Sequence, residues 1–176
     1  TTTTARDLAI LAKAMIQNHP EFYGIYAEKS FTYNNIKQPN RNPLLYTVDG
    51  ADGLKTGHTN ESGYGLVGSA ELNGQRIILV INGLTSVKER KIESVRLMNL
   101  AFRTFKRFEL LTADATVKDV PLWMGEEETV PLVSPVTHSR VMTRKSYNSM
   151  TTRVDYPEEI KAPVTKGQKI GQIFIK

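Results

Sequence analysis

Lys55, Thr56 and Gly57 are the residues of this 176-residue chain whose types and spacing are best suited to chemistry. An edge strand at this place can bind an extended peptide through its unpaired backbone groups, and the missing side chain at Gly57 lets the peptide come close. The hydroxyls of Thr56 and Thr59 can hydrogen-bond a substrate carboxylate. The positive charge of Lys55 favours deprotonation of a neighbouring serine or lysine. The stretch therefore predicts one wall of a site at which a serine attacks a bound peptide.

The nucleophile that would complete this wall is missing from the sequence. In acyl-serine enzymes a Lys-Thr-Gly triplet works with a Ser-x-x-Lys motif and with a second motif of the Ser-x-Asn type. None of the nine serines is followed by a lysine three residues later. One Ser-x-Asn match, Ser146-Tyr147-Asn148, lies far downstream of the triplet, and we do not expect it to be catalytic.

His58 suggests a different chemistry, a Ser-His-Asp triad with Ser62 and either Asp49 or Asp52. The sequence lacks the strained, glycine-flanked serine turn of hydrolases that use such a triad, so we expect His58 to support the strand and the binding surface instead. The three histidines show no ligand spacing, and cysteine is absent. We therefore expect neither a metal nor another cofactor.

The segments before the triplet are predicted from local patterns. Thr3 or Thr4 can cap a helix whose apolar residues recur at helical spacing from Leu8 to Met15, and a proline at position 20 ends it. Residues 30–36 are β-prone, and the proline-rich residues 39–43 predict a loop that brings an arginine to the surface.

The triplet itself opens a predicted antiparallel meander, in which Asn73-Gly74 is a strong two-residue hairpin signal. Ser86 and Glu89 fit a capping box, and apolar residues from Ile92 to Phe105 then mark one face of a helix of about five turns. The predicted strands cover residues 54–59, 64–72 and 76–82.

The composition predicts an α+β fold in two domains. Residues 1–108 are expected to form an antiparallel sheet with packed helices, and residues 109–176, short β-prone runs broken by prolines, a small all-β domain. Hydrophobic residues at 40% and charged residues at 23% are enough for a buried core. The net charge of +5 favours anionic partners, but basic residues are scattered and no aromatic pattern interleaves with them, so we expect no nucleic acid.

The sequence resembles the low-molecular-weight penicillin-binding proteins, the D-alanyl-D-alanine carboxypeptidases of the type-5 group. The resemblance covers essentially the whole chain, including the β-rich part after residue 110. It rests on residues 3–9, 40–42, 48–50, 54–59 and 88–90.

The resemblance implies the C-terminal part of a β-lactamase/transpeptidase-like domain followed by a small accessory domain. It implies a periplasmic or extracytoplasmic serine peptidase that removes the terminal D-Ala of peptidoglycan pentapeptides and is acylated by β-lactam antibiotics. Lys55 would be the lysine of the third motif, catalytic together with Thr56 and Gly57. Substrate binding would involve these three residues and His58, Thr59, Arg41 and Arg90, the two arginines as cations that hold the substrate carboxylate or shape the site.

The resemblance also implies partners outside the chain. The acylating serine, its lysine and the second-motif serine would lie before Thr1, so the expected partners are this missing N-terminal part, peptidoglycan stem peptides and β-lactams. Attachment to the outer face of the cytoplasmic membrane would need a tail beyond Lys176. Two alternatives stay open: a β-lactamase, although that family carries no such β-rich tail, and a non-catalytic module that binds peptidoglycan or a partner protein.

Overall fold

The first helix, α1, spans Ala5–Asn18 in the computed structural model, which describes residues 2–176. Thr4 caps it: the Thr4 hydroxyl accepts the backbone N–H of Asp7 at 3.1 Å, and the Asp7 carboxylate accepts the N–H of Thr4 at 3.0 Å. This reciprocal pair satisfies two donors that the helix leaves free. A short helix, α2 (Pro20–Tyr23), and a 3₁₀ turn follow at once.

Residues 30–39 form a hairpin of two exposed strands, β1 (Ser30–Tyr33) and β2 (Ile36–Pro39). The sequence predicts a loop from Pro39 onward, which is wrong at this residue because Pro39 pairs with Ser30 at the end of the hairpin. The turn residues Asn34 and Asn35 have φ of 48° and 61°. Asparagine tolerates this left-handed conformation, so two of them replace the more familiar Asn-Gly turn.

The predicted meander is a three-stranded antiparallel sheet of β3 (Ala51–Thr59), β4 (Gly63–Leu72) and β5 (Gln75–Leu84), preceded by the one-turn helix α3 (Leu44–Thr47). The strand order is β3-β4-β5, so β3 is an edge strand whose outer flank has no partner strand within residues 2–176. The hairpin turn at Asn73-Gly74 forms as predicted, with positive φ at both residues.

Both faces of this sheet are covered by a helix. On one face, α4 (Val87–Thr104) contributes Met98 to a core with Leu66 and Ala70. On the other face, Ala12 of α1 packs with the side chains of a second cluster, which includes Leu54 of β3. The buried start of β3 is therefore part of a core.

The predicted apolar face of α4 is partly wrong. Ile92 is 52% exposed, and Phe105 lies outside the helix as the first residue of the next strand. Arg90 and Ser94 are buried with Met98 instead, four residues apart. A search for apolar residues at helical spacing cannot find this buried face, because two of its three buried positions carry polar side chains.

Residues 104–176 form a second compact unit, separate from the residues up to Arg103. Its elements are β6 (Phe105–Leu111), β7 (Thr116–Trp123), β8 (Thr129–Val133), β9 (His138–Thr143), α5 (Arg144–Asn148), β10 (Thr152–Asp155), β11 (Ile160–Lys161) and β12 (Gln172–Ile175). The strands form three small sheets over these residues, with orders β6-β9, β11-β7-β8 and β10-β12. This arrangement confirms the α+β fold with a small β-rich C-terminal part.

Candidate functional site

The Lys-Thr-Gly triplet lies where β3 changes from buried to exposed. Gly53 and Leu54 are buried, whereas Lys55 and residues 57–59 are exposed and Thr56 is half-buried. An edge strand with an exposed end leaves backbone donors and acceptors available for an added strand. The geometry therefore suits the binding of an extended peptide along residues 55–59.

Space is available at the triplet itself. A Cβ placed on Gly57 would have no neighbour within 4 Å among the described residues, so this position opens directly to solvent. The Lys55 ammonium is exposed and donates a hydrogen bond of 2.8 Å to the carbonyl oxygen of Thr56. It is thus held beside the strand, where an incoming ligand can reach it.

The far end of the exposed stretch is closed by Thr59 and Ser62. Their hydroxyl oxygens lie 2.6 Å apart, and the backbone N–H of Ser62 donates to the Thr59 hydroxyl at 3.0 Å. Ser62 therefore fixes the rotamer of Thr59 and leaves a second hydroxyl next to it.

Arg90 supports the triplet from α4. It is 6% exposed, and its guanidinium donates a long hydrogen bond of 3.5 Å to the carbonyl oxygen of Gly57. The guanidinium also lies 5.7 Å from the ring centre of Tyr64, and that ring lies 4.0 Å from the ring of His58. Within the described chain, Nε of Arg90 has no hydrogen-bond partner.

Burial is the main cause that lowers the pKa of Arg90, because it disfavours the charged form. The positive charge of Arg41 lowers this pKa further, while Tyr64 raises it. Arg41 itself is exposed, in a loop that Asn40 and Asn42 hold through side-chain hydrogen bonds to the backbone. The charge of Arg41 thus acts on Arg90, which lies beside β3, and an anion would stabilise this arrangement.

A groove of about 630 Å³ runs between α1 and the sheet. Leu8, Leu11 and Met15 form its apolar wall, and Leu11 is 63% exposed. Residues 55–59 and Ser62 form a more polar side. Arg41 and Arg90 do not line this groove.

The side chains of the alternative chemistries that the sequence disfavours bond to other groups. The carboxylate of Asp52 accepts hydrogen bonds from Tyr23 and Arg76, and the Ser62 hydroxyl is paired with Thr59, so neither completes a triad with His58. Ser146 lies in the second unit, in α5, where its hydroxyl is 3.0 Å from that of Thr143. Within residues 2–176, no group of three or more acidic or histidine side chains is arranged to hold a metal ion.

Two family models match the chain. Residues 1–85 match the family model of D-alanyl-D-alanine carboxypeptidases, and residues 105–176 match the model of the penicillin-binding protein 5 C-terminal domain. The two matches together make the chain similar to these carboxypeptidases over nearly its whole length. The family resemblance predicted from the triplet and its flanking residues is therefore confirmed.

Relatives in the family match nearly the whole chain. D-alanyl-D-alanine carboxypeptidase DacA of Haemophilus influenzae is 37% identical over 97% of the chain, and DacC of Escherichia coli is 38% identical over 97%. The chain covers 44% and 43% of these two relatives, so it spans somewhat less than half of their length.

Solved structures of the family share the fold. Penicillin-binding protein 5 from H. influenzae matches 99% of the chain with a TM-score of 0.72 and 36% identity, and the chain covers 52% of that structure. Penicillin-binding protein D2 from Listeria monocytogenes in the cefotaxime-bound form matches 57% of the chain with a TM-score of 0.53 and 34% identity, and the chain covers 41% of that structure.

The structure brings the predicted residues Lys55 to Thr59 together on one strand and places Arg90 beside Gly57. Sequence reasoning missed the role of Tyr64, which lies between His58 and the Arg90 guanidinium. Register was the only signal that could have found it, because Tyr64 pairs with His58 across β3 and β4.

Proposed function

We propose that the protein containing this chain is a serine-type D-alanyl-D-alanine carboxypeptidase. It removes the terminal D-Ala of peptidoglycan pentapeptides through an acyl-serine intermediate, and β-lactams acylate the same serine. The observation that carries the proposal is the exposed Lys55–Thr59 end of an edge strand, which lies within the part of the chain that matches the carboxypeptidase model.

Each residue of the strand has a role in this proposal. The backbone of residues 55–59 binds the stem peptide as an added strand, and Gly57 admits it. The hydroxyls of Thr56 and Thr59 bind the terminal carboxylate, with Arg41 and Arg90 supplying positive charge. Lys55 stabilises the deprotonated state of the serine nucleophile through its own charge.

The nucleophile lies on a preceding segment of the same protein. Two observations support this part of the proposal. The relatives are more than twice as long as the matched region, and the exposed Leu11 side chain lines an apolar groove beside the triplet. A segment packed against the apolar wall of this groove would bury that wall and bring a serine to Lys55 while leaving residues 55–59 open to the peptide.

The proposed place of action is outside the cytoplasm, where the peptidoglycan substrate lies. No helix within residues 2–176 is long and apolar enough to cross a membrane. Attachment to the outer face of the cytoplasmic membrane is proposed to depend on a tail beyond this chain.

Two other functions are weighed against the carboxypeptidase: a β-lactamase and a non-catalytic binding module. The match of residues 105–176 to the penicillin-binding protein 5 C-terminal domain disfavours a β-lactamase. A non-catalytic module that binds peptidoglycan or a partner protein is the second candidate, because no Ser-x-x-Lys motif occurs in the chain.

Release of D-Ala tests these functions. The full-length protein is incubated with a peptide ending in D-Ala-D-Ala and, as a control, with the same peptide ending in D-Ala-L-Ala. We expect D-Ala release from the first peptide and its inhibition by penicillin. Binding of peptidoglycan without any release of D-Ala would support the non-catalytic module, and hydrolysis of penicillin faster than of the peptide would support a β-lactamase.

A further inference from the structure

Three side chains hold the beginning of β3, and none of them belongs to the proposed substrate-binding residues. Tyr23, at the end of α2, donates a hydrogen bond of 2.7 Å from its hydroxyl to the Asp52 carboxylate. Arg76 of β5 donates to both oxygens of the same carboxylate, at 2.7 and 3.0 Å. Asp52 therefore ties β3 both to the helical segment before it and to the sheet beside it.

Arg76 is the centre of this cluster. Its guanidinium also donates to the Ser69 hydroxyl at 2.7 Å and to the Glu71 carboxylate at 2.6 Å, and it lies 5.6 Å from the ring centre of Tyr23. Although burial lowers the pKa of Arg76, the hydrogen bond and charge of Asp52 and the hydrogen bond of Glu71 outweigh it, so the pKa is raised. The guanidinium of Arg76 therefore stays charged at any physiological pH.

The backbone after Asp52 is fixed as well. A Cβ on Gly53 would lie 2.8 Å from the Tyr23 hydroxyl oxygen, so the phenol occupies space that only a glycine leaves free. Leu54 then packs in the core cluster with Ala12 and Tyr23. The three residues immediately before Lys55 are thus each held in place: Asp52 by hydrogen bonds, Gly53 by contact with the Tyr23 phenol, and Leu54 by packing in the core.

Building on the proposed function, we propose that Tyr23, Asp52 and Arg76 are positioning residues: they fix the direction in which β3 leaves the core and thereby the place of the Lys-Thr-Gly triplet relative to the nucleophile. The exposed end of β3 is paired with β4 on its inner side only: its outer flank is unpaired within residues 2–176, and its bond to Arg90 is long, so the anchor adds to what fixes its position. A displacement of about 1 Å at a reacting centre can cost a factor of about 100 in rate.

Tyr23→Phe in the full-length protein is the sharpest test, since it removes one hydroxyl and keeps the ring that packs against Gly53 and Leu54. We expect the acylation rate constant with penicillin to fall roughly tenfold, the factor that corresponds to one net hydrogen bond. For the peptide, kcat should fall more than KM changes. Amide hydrogen exchange at residues 55–59 should become faster.

Tyr33→Phe is the matched control, because Tyr33 lies in the exposed β1–β2 hairpin and outside the proposed site. It should leave the rate and the exchange unchanged. Arg76→Lys, which keeps the charge but loses the forked geometry, should give a smaller reduction than Arg76→Gln.

The positioning role is overturned if Tyr23→Phe keeps the wild-type acylation rate per folded molecule and the wild-type exchange at residues 55–59. It is also overturned if the rate falls only in proportion to the unfolded fraction. Failure of the proposed activity is distinguishable, since wild-type protein would then not be acylated. Even in that case, unchanged hydrogen exchange in Tyr23→Phe would contradict the anchor and faster exchange would support it.

Discussion

The two ends of β3 differ in almost every physical respect. Its beginning is tied to neighbouring elements by Asp52 and ends at Leu54, which is buried in a core cluster. Its end, Lys55–Thr59, is largely exposed on the unpaired flank of the sheet. One strand thus combines a fixed base with an accessible end, which is what a rigid but open peptide-binding edge requires.

Gly57→Val in the full-length protein should produce the largest effect, and it acts on the open end alone. The new side chain meets no described neighbour at its Cβ, so folding should be unaffected, but it occupies the space of the bound peptide. We expect the acylation rate constant with penicillin to fall about 100-fold or more. Gly24→Ala, at another position with free space, is the control and should have no effect. Acylation of Gly57→Val at the wild-type rate would show that the open edge is not the binding site.

A glycine-to-alanine substitution at the buried beginning of β3 should lower the stability of the protein, whereas the same substitution at its exposed end should not. Gly53→Ala places a Cβ against the Tyr23 hydroxyl, and overpacking of this kind costs about 1–3 kcal/mol. Gly57→Ala should leave the free energy of unfolding within about 0.5 kcal/mol of wild type, as is usual at the surface. Urea unfolding of both variants measures the difference. Equal stabilities would remove the distinction between the two ends.

Arg90→Gln tests whether the buried cation beside the open end serves a carboxylate. We expect KM for a peptide with a free C-terminal carboxylate to rise roughly tenfold, the loss of one charge-assisted hydrogen bond. The same peptide with an amidated C-terminus should be bound equally by wild type and variant. Equal losses for both peptides would mean that Arg90 acts through the Gly57 carbonyl alone.

The smallest effect is expected in the pH dependence of the free energy of unfolding. Burial, followed by the interaction with Asp52, raises the pKa of Tyr23 to about 12, above its ordinary value of 10.0. The unfolded chain therefore loses this proton first, and the free energy of unfolding should fall as the pH rises from about 10 to about 12. In Tyr23→Phe the free energy of unfolding, measured with urea, should fall less over this pH range than in the wild type. An identical fall in both proteins would contradict the buried, neutral phenol.

The parts of the fold that follow from local signals could be predicted. The Asn73-Gly74 turn and the Thr4 cap are each set by residues within a few positions, and both form as expected. The positions of the Lys-Thr-Gly strand and of the following hairpin were predicted for the same reason. The roles of the site residues and the domain boundary at residue 108 stay predictions.

The anchor of β3 could not be predicted because its contacts are distant in sequence. Tyr23 and Asp52 are 29 residues apart, and Asp52 and Arg76 are 24 apart. They meet only when the sheet has its register and α2 lies against β3. Arg90 was recognised as a cation, but its burial was not, since helical periodicity of apolar residues gives no reason to bury a charge.

The central claim is that the open end of β3 forms part of a β-lactam-acylated site whose serine lies on a preceding segment. Labelling with a fluorescent penicillin tests it most directly, on the full-length protein, on its Lys55→Ala variant and on residues 1–176 alone. We predict that the full-length protein is labelled, that Lys55→Ala is labelled at least about 100-fold more slowly, and that residues 1–176 are not labelled. Labelling of residues 1–176 alone, or undiminished labelling of the Lys55→Ala variant, would contradict the claim.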